Sequence, residues 1–280
     1  GELLLPEGHL IRPVDVAAML SVGIKRVLVR KRPRVAVIPT GCELIDPDAL
    51  DGEPRPGQII ESNSRLIGLT CEEWGAQWIK MPPVGDDPEQ LKSAIEKALD
   101  LADVILVNAG SSAGSKDYTA QAIAALGEVV VHGVAVRPGK PVVLGVVRSK
   151  PVIGLPGYPV SALVDLEVFV KPLLLRLGGR AQWEPKSIRA VVATRLMSPA
   201  GVEERVRVVL GRVKGRVVAA ALSRGAGVLS SMVRAMGCIR IPRLSQGVEA
   251  GCETDVELYI SEALVDNTIL CIGSHDVALD

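Results

Sequence analysis

Five short motifs between residues 39 and 161 hold the side chains of this sequence that are best suited to chemistry. In chain order they are Pro39-Thr40-Gly41-Cys42-Glu43-Leu44, Gly85-Asp86-Asp87-Pro88, Asn108-Ala109-Gly110-Ser111-Ser112-Ala113-Gly114-Ser115-Lys116-Asp117, Arg137-Pro138-Gly139-Lys140-Pro141 and Gly154-Leu155-Pro156-Gly157-Tyr158-Pro159-Val160-Ser161. Each lies where an apolar, strand-like run ends. Because loops at the carboxyl ends of strands in an open α/β sheet converge on one crevice, we expect these motifs to form one site.

The third motif has the composition of a phosphate-binding turn. Its small residues let backbone amides approach an anion, and the hydroxyls of Ser111, Ser112 and Ser115 add donors. An ordinary tight connection between a strand and a helix has the same composition, so the motif alone does not decide. Asp117 favours a Mg²⁺ ion held between a phosphate and its carboxylate, with a helix N-cap as the alternative role.

The fourth and fifth motifs are rigid turns that favour an oxyanion. Two prolines and one glycine hold Arg137 and Lys140 in a bend with little ordering entropy, although a solvated basic turn is the simpler alternative. The last turn places Ser161 near the start of a helix. In the second motif, Asp87 is expected to cap a helix, which leaves Asp86 free for chemistry. Glu43 fits either a catalytic role or a cap.

Composition excludes several classes of protein. The chain has 280 residues and 48% hydrophobic content, enough for two domains with cores of their own. Its 32 basic and 32 acidic residues cancel, which gives no reason to expect a nucleic acid or a membrane surface as partner. The apolar runs are far shorter than the roughly 20 residues of a membrane span. Five scattered cysteines without a CxxC pair argue against disulfides and structural zinc, and favour the cytoplasm.

The alternation of apolar patterns predicts an α/β fold in two main parts. Residues 33–179 are expected to form a three-layer α/β/α domain with a mostly parallel sheet, and residues 184–262 a small β-barrel-like domain. Residues 1–32 are interpreted as the end of a preceding domain with its linker. The predicted helices are a short one from Pro13 to Gly23, 63–74, one that Asp87 caps, 117–126 and 160–177. The predicted strands are 26–29, 34–38, 103–107, 129–136, 142–147, 152–155, 188–196, 205–210, 216–222, 238–241 and 255–260.

Taken together, the five motifs and the β-rich module predicted at residues 184–262 resemble the molybdopterin molybdotransferase family. This family includes the MoeA proteins of bacteria and the E domain of gephyrin. The resemblance covers nearly the whole chain, and the combination of motifs is highly specific. It implies molybdenum cofactor biosynthesis: a transferase that uses Mg²⁺ inserts molybdate into adenylylated molybdopterin and releases AMP. It also implies a homodimer, with the pterin adenylyltransferase as a further partner.

The resemblance assigns roles to individual residues. It makes Asp117, Asp86 and Glu43 catalytic, with Asp117 and Asp86 as the metal ligands. The residues it assigns to substrate binding are Thr40, Gly41, Gly110, Ser111, Ser112, Gly114, Arg137, Pro138, Lys140, Pro141, Pro156, Gly157, Ser161, Arg207 and Ser230. Three positions depart from the family pattern: Cys42 replaces Asp, Ala109 replaces Gly and Tyr158 replaces Asn.

These departures keep other interpretations open. A tungstate preference, a non-catalytic molybdopterin-binding or scaffold module, and a molybdopterin adenylyltransferase are the alternatives to the molybdotransferase. The β-rich module and the last two motifs argue against the adenylyltransferase. Residues 266–280 resemble the start of a periplasmic-binding-protein-like domain, where His275 would serve a ligand site. A disordered terminus with an incidental histidine is the alternative.

Overall fold

The computed structural model describes residues 2–108, 118–180 and 185–268. Its helices are α1 (Pro13–Ser21), α2 (Asn63–Glu73), α3 (Pro88–Leu101), α4 (Tyr118–Leu126), α5 (Pro159–Asp165), α6 (Lys171–Leu177), α7 (Leu229–Arg234) and α8 (Glu262–Asp266). A 3-10 turn covers Pro47–Ala49, and a π-helical turn, Leu166–Val170, joins α5 to α6.

The strands, in chain order, are β1 (Arg34–Pro39), β2 (Leu44–Ile45), β3 (Ile59–Ile60), β4 (Gln77–Lys80), β5 (Val104–Asn108), β6 (Glu128–His132), β7 (Val136–Arg137), β8 (Val143–Val147), β9 (Lys150–Leu155), β10 (Ser187–Val192), β11 (Leu196–Met197), β12 (Glu203–Val213), β13 (Arg216–Ala221), β14 (Gly237–Ile241), β15 (Gly247–Val248) and β16 (Glu253–Leu258).

The first large sheet has the order β4-β1-β5-β9-β8-β6. Its first four strands run parallel, and β8 and β6 are antiparallel to their neighbours. Apolar residues of α3 and α4 pack on one face of this sheet, and apolar residues of α2, α5 and α6 pack on the other. The predicted three-layer α/β/α arrangement is confirmed.

Helix α3 shows how local sequence fixes an element of this fold. The side chain of Asp87 accepts hydrogen bonds from the backbone amides of Glu89 and Gln90, and Pro88 occupies the first turn. Leu91 and Ile95, one helical turn apart, are buried against the sheet. The cap and the spacing that predicted this helix are therefore both present.

The second large sheet closes into a barrel. Its order is β13-β10-β16-β14-β12, and β12 also pairs with β13. Closure depends on the 11-residue strand β12, which pairs with β14 over its first half and with β13 over its second. The interior is filled by apolar side chains such as Val206, Val208 and Ile239, which are at most 1% exposed. The predicted small β-barrel is confirmed.

One predicted strand is divided between the two sheets. Residues 129–136 were expected to form one strand, but β6 ends at His132 and Gly133 adopts φ +80°. The chain then enters β7, which pairs in parallel with Glu203 and Glu204 of β12. Since the left-handed conformation at Gly133 breaks the extended run, the apolar pattern alone could not locate this change of sheet.

Other differences concern the ends and the barrel. The prediction of a strand at residues 26–29 was wrong, because this segment pairs with no other part of the described chain and leaves Leu28 and Val29 exposed. Predicted strand 188–196 is interrupted between Val192 and Leu196, and helices α7 and α8 were not predicted.

The structure tests only part of the remaining predictions about domain organisation. The domain limits stay predictions, and residues 181–184, like residues 269–280 with His275, lie outside the described part. Within the described residues, none of the helices combines the length and the apolar character that crossing a bilayer requires.

Candidate functional site

The carboxyl ends of β1, β5 and β9 meet at one edge of the first sheet. Pro39 lies opposite Asn108, and Asn108 opposite Leu155. Thr40 extends this edge through an isolated bridge to Val84, which brings the Gly85–Asp87 turn alongside. The Arg137–Pro141 loop reaches the same edge because β8 begins there, antiparallel to β9.

Asn108 ties these loops together from the centre. Its side chain is 4% exposed, and its Nδ2 donates to the carbonyl of Pro156 at 2.8 Å. Asn63 Nδ2 donates to Asn108 Oδ1 at 3.1 Å and to the carbonyl of Gly157 at 2.6 Å. The sequence analysis did not single out Asn63, although an asparagine at the start of a helix beside a predicted site was a usable signal.

We expect Asn108→Ala to lower the free energy of unfolding by about 2–3 kcal/mol, because it removes two hydrogen bonds and leaves buried partners unsatisfied. Asn108→Asp is expected to cost a similar amount, since a carboxylate cannot donate to the Pro156 carbonyl. Denaturant titration measures both values. An Ala variant that unfolds within about 0.5 kcal/mol of the wild type would show that Asn108 does not hold the loops together.

A group of three potential metal ligands lies at the carboxyl end of β1. Cys42, Glu43 and Asp86 each offer one ligand atom, and these three atoms lie within 4.8 Å of one another. Cys42 Sγ lies 3.5 Å from Asp86 Oδ2, and this hydrogen bond is the main reason that the pKa of the Cys42 thiol is raised. A neutral thiol therefore lies beside two carboxylates, and we call these three residues the carboxylate corner.

Gly41 is required in this corner for two reasons. Its φ of +143° disfavours any residue with a Cβ, and a Cβ there would lie 2.8 Å from Glu43 Oε2. The carboxylate of Glu43 thus folds back over the glycine. Asp87 caps α3, as predicted, while Asp86 is exposed and makes no capping bond. The roles of Glu43 and Asp86 in chemistry remain predictions.

The Arg137–Pro141 loop forms a second, basic corner. Arg137 and Lys140 are exposed, and the peptide bond between Arg137 and Pro138 is cis. Gly139 is buried, with φ +118°. Ser161, in the first turn of α5, is 4% exposed and belongs to the same edge. We call Arg137, Lys140 and Ser161 the anion corner, and their binding roles stay predictions.

Asp165 lies directly behind this corner and was not identified from sequence. A Cβ on Gly139 would lie 2.2 Å from Asp165 Oδ1, so the carboxyl group occupies the space that the glycine leaves. The side chain is fully buried, and neither carboxyl oxygen has a hydrogen-bond partner among the residues that the structure describes. Burial raises the pKa of Asp165 to about 8. An acidic residue within the apolar run Val160–Val170 was the signal that could have found it.

The barrel contributes a loop to the same region. The amide of Val160 donates to the carbonyl of Ala226 at 3.2 Å, and Gly227 lies against the exposed ring of Tyr158. Arg207 is 4% exposed and its guanidinium holds this loop rather than facing solvent. Ser230 is exposed in α7.

Most of the predicted site residues that the structure describes lie around this edge, while Arg207 lies in the barrel strand β12 and Ser230 in α7. Those that fall outside the described residues are Gly110, Ser111, Ser112, Gly114 and Asp117.

Comparisons with known proteins agree with this arrangement. Residues 36–176 match the family model described as "Probable molybdopterin binding domain", and residues 189–259 match that of the MoeA C-terminal region (domain IV). A molybdopterin molybdenumtransferase of Nostoc sp. is 36% identical over 68% of this chain and 44% of its own length. Molybdopterin molybdenumtransferase 2 of Mycobacterium tuberculosis is 32% identical over 91% of this chain and 64% of its own length.

Solved structures give the same result. Two crystal structures of the molybdopterin biosynthesis MoeA protein from Pyrococcus horikoshii match with TM-scores of 0.76 and 0.73. Their sequence identities are 36% and 29%, and the matches cover 93% and 92% of this chain. The chain spans 63% and 62% of those proteins, and so less than two thirds of their length.

Proposed function

The chain belongs to the molybdopterin molybdotransferase (MoeA) family, and from this membership we propose that it inserts molybdate into adenylylated molybdopterin, with release of AMP, in the biosynthesis of molybdenum cofactor. The observation that carries the proposal is the proximity of two different corners at one sheet edge. One corner presents carboxylates and the other presents cations, and the two parts of this reaction need these opposite properties.

The anion corner suits molybdate. Molybdate is a tetrahedral dianion, and the exposed side chains of Arg137 and Lys140 supply positive charge. The proline and glycine residues of the loop hold these cations in place before the anion arrives, which lowers the entropic cost of binding. Ser161 adds a hydroxyl. Tungstate has the same shape and charge, so the same residues would accept it.

The carboxylate corner fits Mg²⁺ through its oxygen atoms. Glu43 and Asp86 offer hard ligands close together, and Asp117, outside the described residues, would be the third. A bound Mg²⁺ would neutralise phosphate charge at the bond to be broken. Either carboxylate would also be able to act as a general base in the reaction. From their composition alone, the small residues of the 109–117 segment, outside the described part of the chain, would suit amide binding of the pterin phosphate.

The proposal includes two partners. A second copy of the chain is expected to form a homodimer, as in the family, and the pterin adenylyltransferase is expected to deliver the adenylylated substrate. Both follow from family membership rather than from contacts in this chain.

Release of AMP tests the proposed function. The protein is incubated with adenylylated molybdopterin, Mg²⁺ and molybdate, and AMP is followed beside Asp117→Ala. We expect the variant to be at least about 100-fold slower, because it loses a catalytic carboxylate. Asp100→Ala is the matched control, since Asp100 is near the opposite end of α3 from the site and pairs only with Arg148 among the described residues. Equal AMP release from wild type and Asp117→Ala would contradict the proposal.

A non-catalytic molybdopterin-binding or scaffold module is the second candidate, and one observation favours it. The thiol of Cys42, a hydrogen-bond partner of Asp86, stands where the family motif has an aspartate. A neutral group there weakens the negative field that would attract a cation. Binding of the adenylylated pterin without AMP release, with either molybdate or tungstate, is the result expected of a scaffold.

A further inference from the structure

A buried carboxylate joins the anion corner to the barrel. Glu204 lies in β12 opposite Arg137 of β7, and it is 2% exposed. Its Oε1 is 3.9 Å from Arg137 Nε and 3.5 Å from Arg224 Nη1. One carboxylate oxygen therefore faces two guanidinium groups, one from each domain.

The backbone around Arg224 is fixed by another arginine. Arg207 Nη2 donates to the carbonyl of Ser223 at 2.8 Å, and a longer 3.4 Å contact reaches the carbonyl of Gly225. Arg207 Nε donates to Ser231 Oγ at 2.8 Å. The buried guanidinium thus holds the two carbonyls that flank Arg224 and the first turn of α7. Held in this way, the loop directs Arg224 toward Glu204.

The loop is also attached to the helix that carries Ser161. The bond from the Val160 amide to the Ala226 carbonyl places the loop beside the first turn of α5. Arg224 is one third exposed, and Nη1 donates to the carbonyl of Met197 at 2.6 Å. The other nitrogens of its guanidinium, Nε and Nη2, make no hydrogen bond to any of the described residues. Donors of Arg224 therefore remain for a ligand at the anion corner.

Charge balance supports a ligand. Arg137 and Arg224 carry two positive charges and share one carboxylate, whose Oε2 has no hydrogen-bond partner within the described ranges. The group keeps a net charge of +1 before the nearby Lys140 is counted, and of its three members only Glu204 is buried. A dianion would neutralise this excess, and a guanidinium pairs well with an oxyanion.

We propose that Arg224 is an additional oxyanion-binding residue of the anion corner, that Glu204 is the positioning residue that holds it beside Arg137, and that Arg207 supports it by holding the loop. The proposal rests on the proposed function in that molybdate or tungstate is the expected anion. It goes beyond the family assignment because Arg224, which that assignment does not include, is added to the residues that meet the anion.

Equilibrium dialysis of the protein against molybdate alone tests the proposal without requiring turnover. We expect Arg224→Gln to raise the Kd at least tenfold, and Arg224→Lys to give an intermediate Kd, because an ammonium keeps the charge but not the bidentate geometry. Arg216→Gln is the control, since Arg216 lies at the hairpin end of β13, away from β7, and pairs with Glu253. Its Kd should equal that of the wild type.

Thermal unfolding checks that each variant is folded. If Arg224→Gln does not fold, the Kd of Arg224→Lys is compared with that of the wild type. Kd values within twofold of the wild type for the folded variants overturn the proposal, and so does a wild type that does not bind molybdate. Binding that depends on Arg224 but leads to no AMP release supports this proposal and rejects the proposed turnover, which keeps the two failures distinct.

Discussion

Asp86→Asn is expected to slow AMP release by at least about 100-fold while leaving the fold intact. Asp86 is exposed and belongs to the carboxylate corner with Cys42 and Glu43. The amide would keep the size of the side chain but lose the negative charge that binds a cation or accepts a proton. Because Cys42 contributes a neutral thiol in place of a carboxylate, only two acidic side chains remain in this corner, and each should matter more.

Asp87→Asn is the matched control for this experiment. The neighbouring Asp87 caps α3 through bonds from the amides of Glu89 and Gln90, and asparagine caps helices about as well as aspartate. We therefore expect Asp87→Asn to retain AMP release within about twofold of the wild type. If both variants lost activity equally, the turn would matter through its shape, and the chemical role of Asp86 would be wrong.

The second large effect is on stability, and it depends on pH. The folded-state pKa of Asp165 is about 8, whereas an unfolded aspartate titrates near 3.9. Between these values the folded chain binds the proton and the unfolded chain does not, so raising the pH lowers the free energy of unfolding. The slope approaches about 1.4 kcal/mol per pH unit, which amounts to up to about 4 kcal/mol at pH 7.

Asp165→Asn removes this titration. We expect the variant to be more stable than the wild type at pH 7 by about 1–4 kcal/mol, and the difference to shrink toward zero near pH 4. Denaturant titrations at several pH values measure it, with Asp255→Asn as the exposed control. Stability curves of wild type and variant that run parallel from pH 5 to pH 8 would show that Asp165 does not titrate within the fold.

The sequence predicted those features of the fold that depend on local patterns. Helix α3 follows from the cap at Asp87 and from buried residues such as Leu91 and Ile95. Strand β5 follows from its continuous apolar run. The convergence of loops at one sheet edge then follows from the parallel order of the strands. Each of these features needs only residues that are neighbours in the chain, or a general rule of α/β folds.

The features that were missed depend on contacts between distant residues. Strand β7 exists because Glu203 and Glu204 offer it a ladder, and these residues are more than sixty positions further along the chain. The burial of Asp165 behind Gly139 is a packing relation that no periodicity encodes. The clamp of Arg207 on the loop around Arg224 is of the same kind. Long-range pairings of this type decide the site, and spacing in a single sequence does not contain them.

The two-residue strand β7 has a consequence for how this protein can be divided. One of its two residues, Arg137, also belongs to the anion corner, yet both residues pair with the barrel strand β12, and Arg137 meets Glu204 across that ladder. A barrel excised on its own would keep the pairing of β12 with β14 but would lose the pairing with β7, and Glu204 would lose Arg137. The two domains are therefore not interchangeable modules: a barrel taken from another relative would have to accept this particular strand.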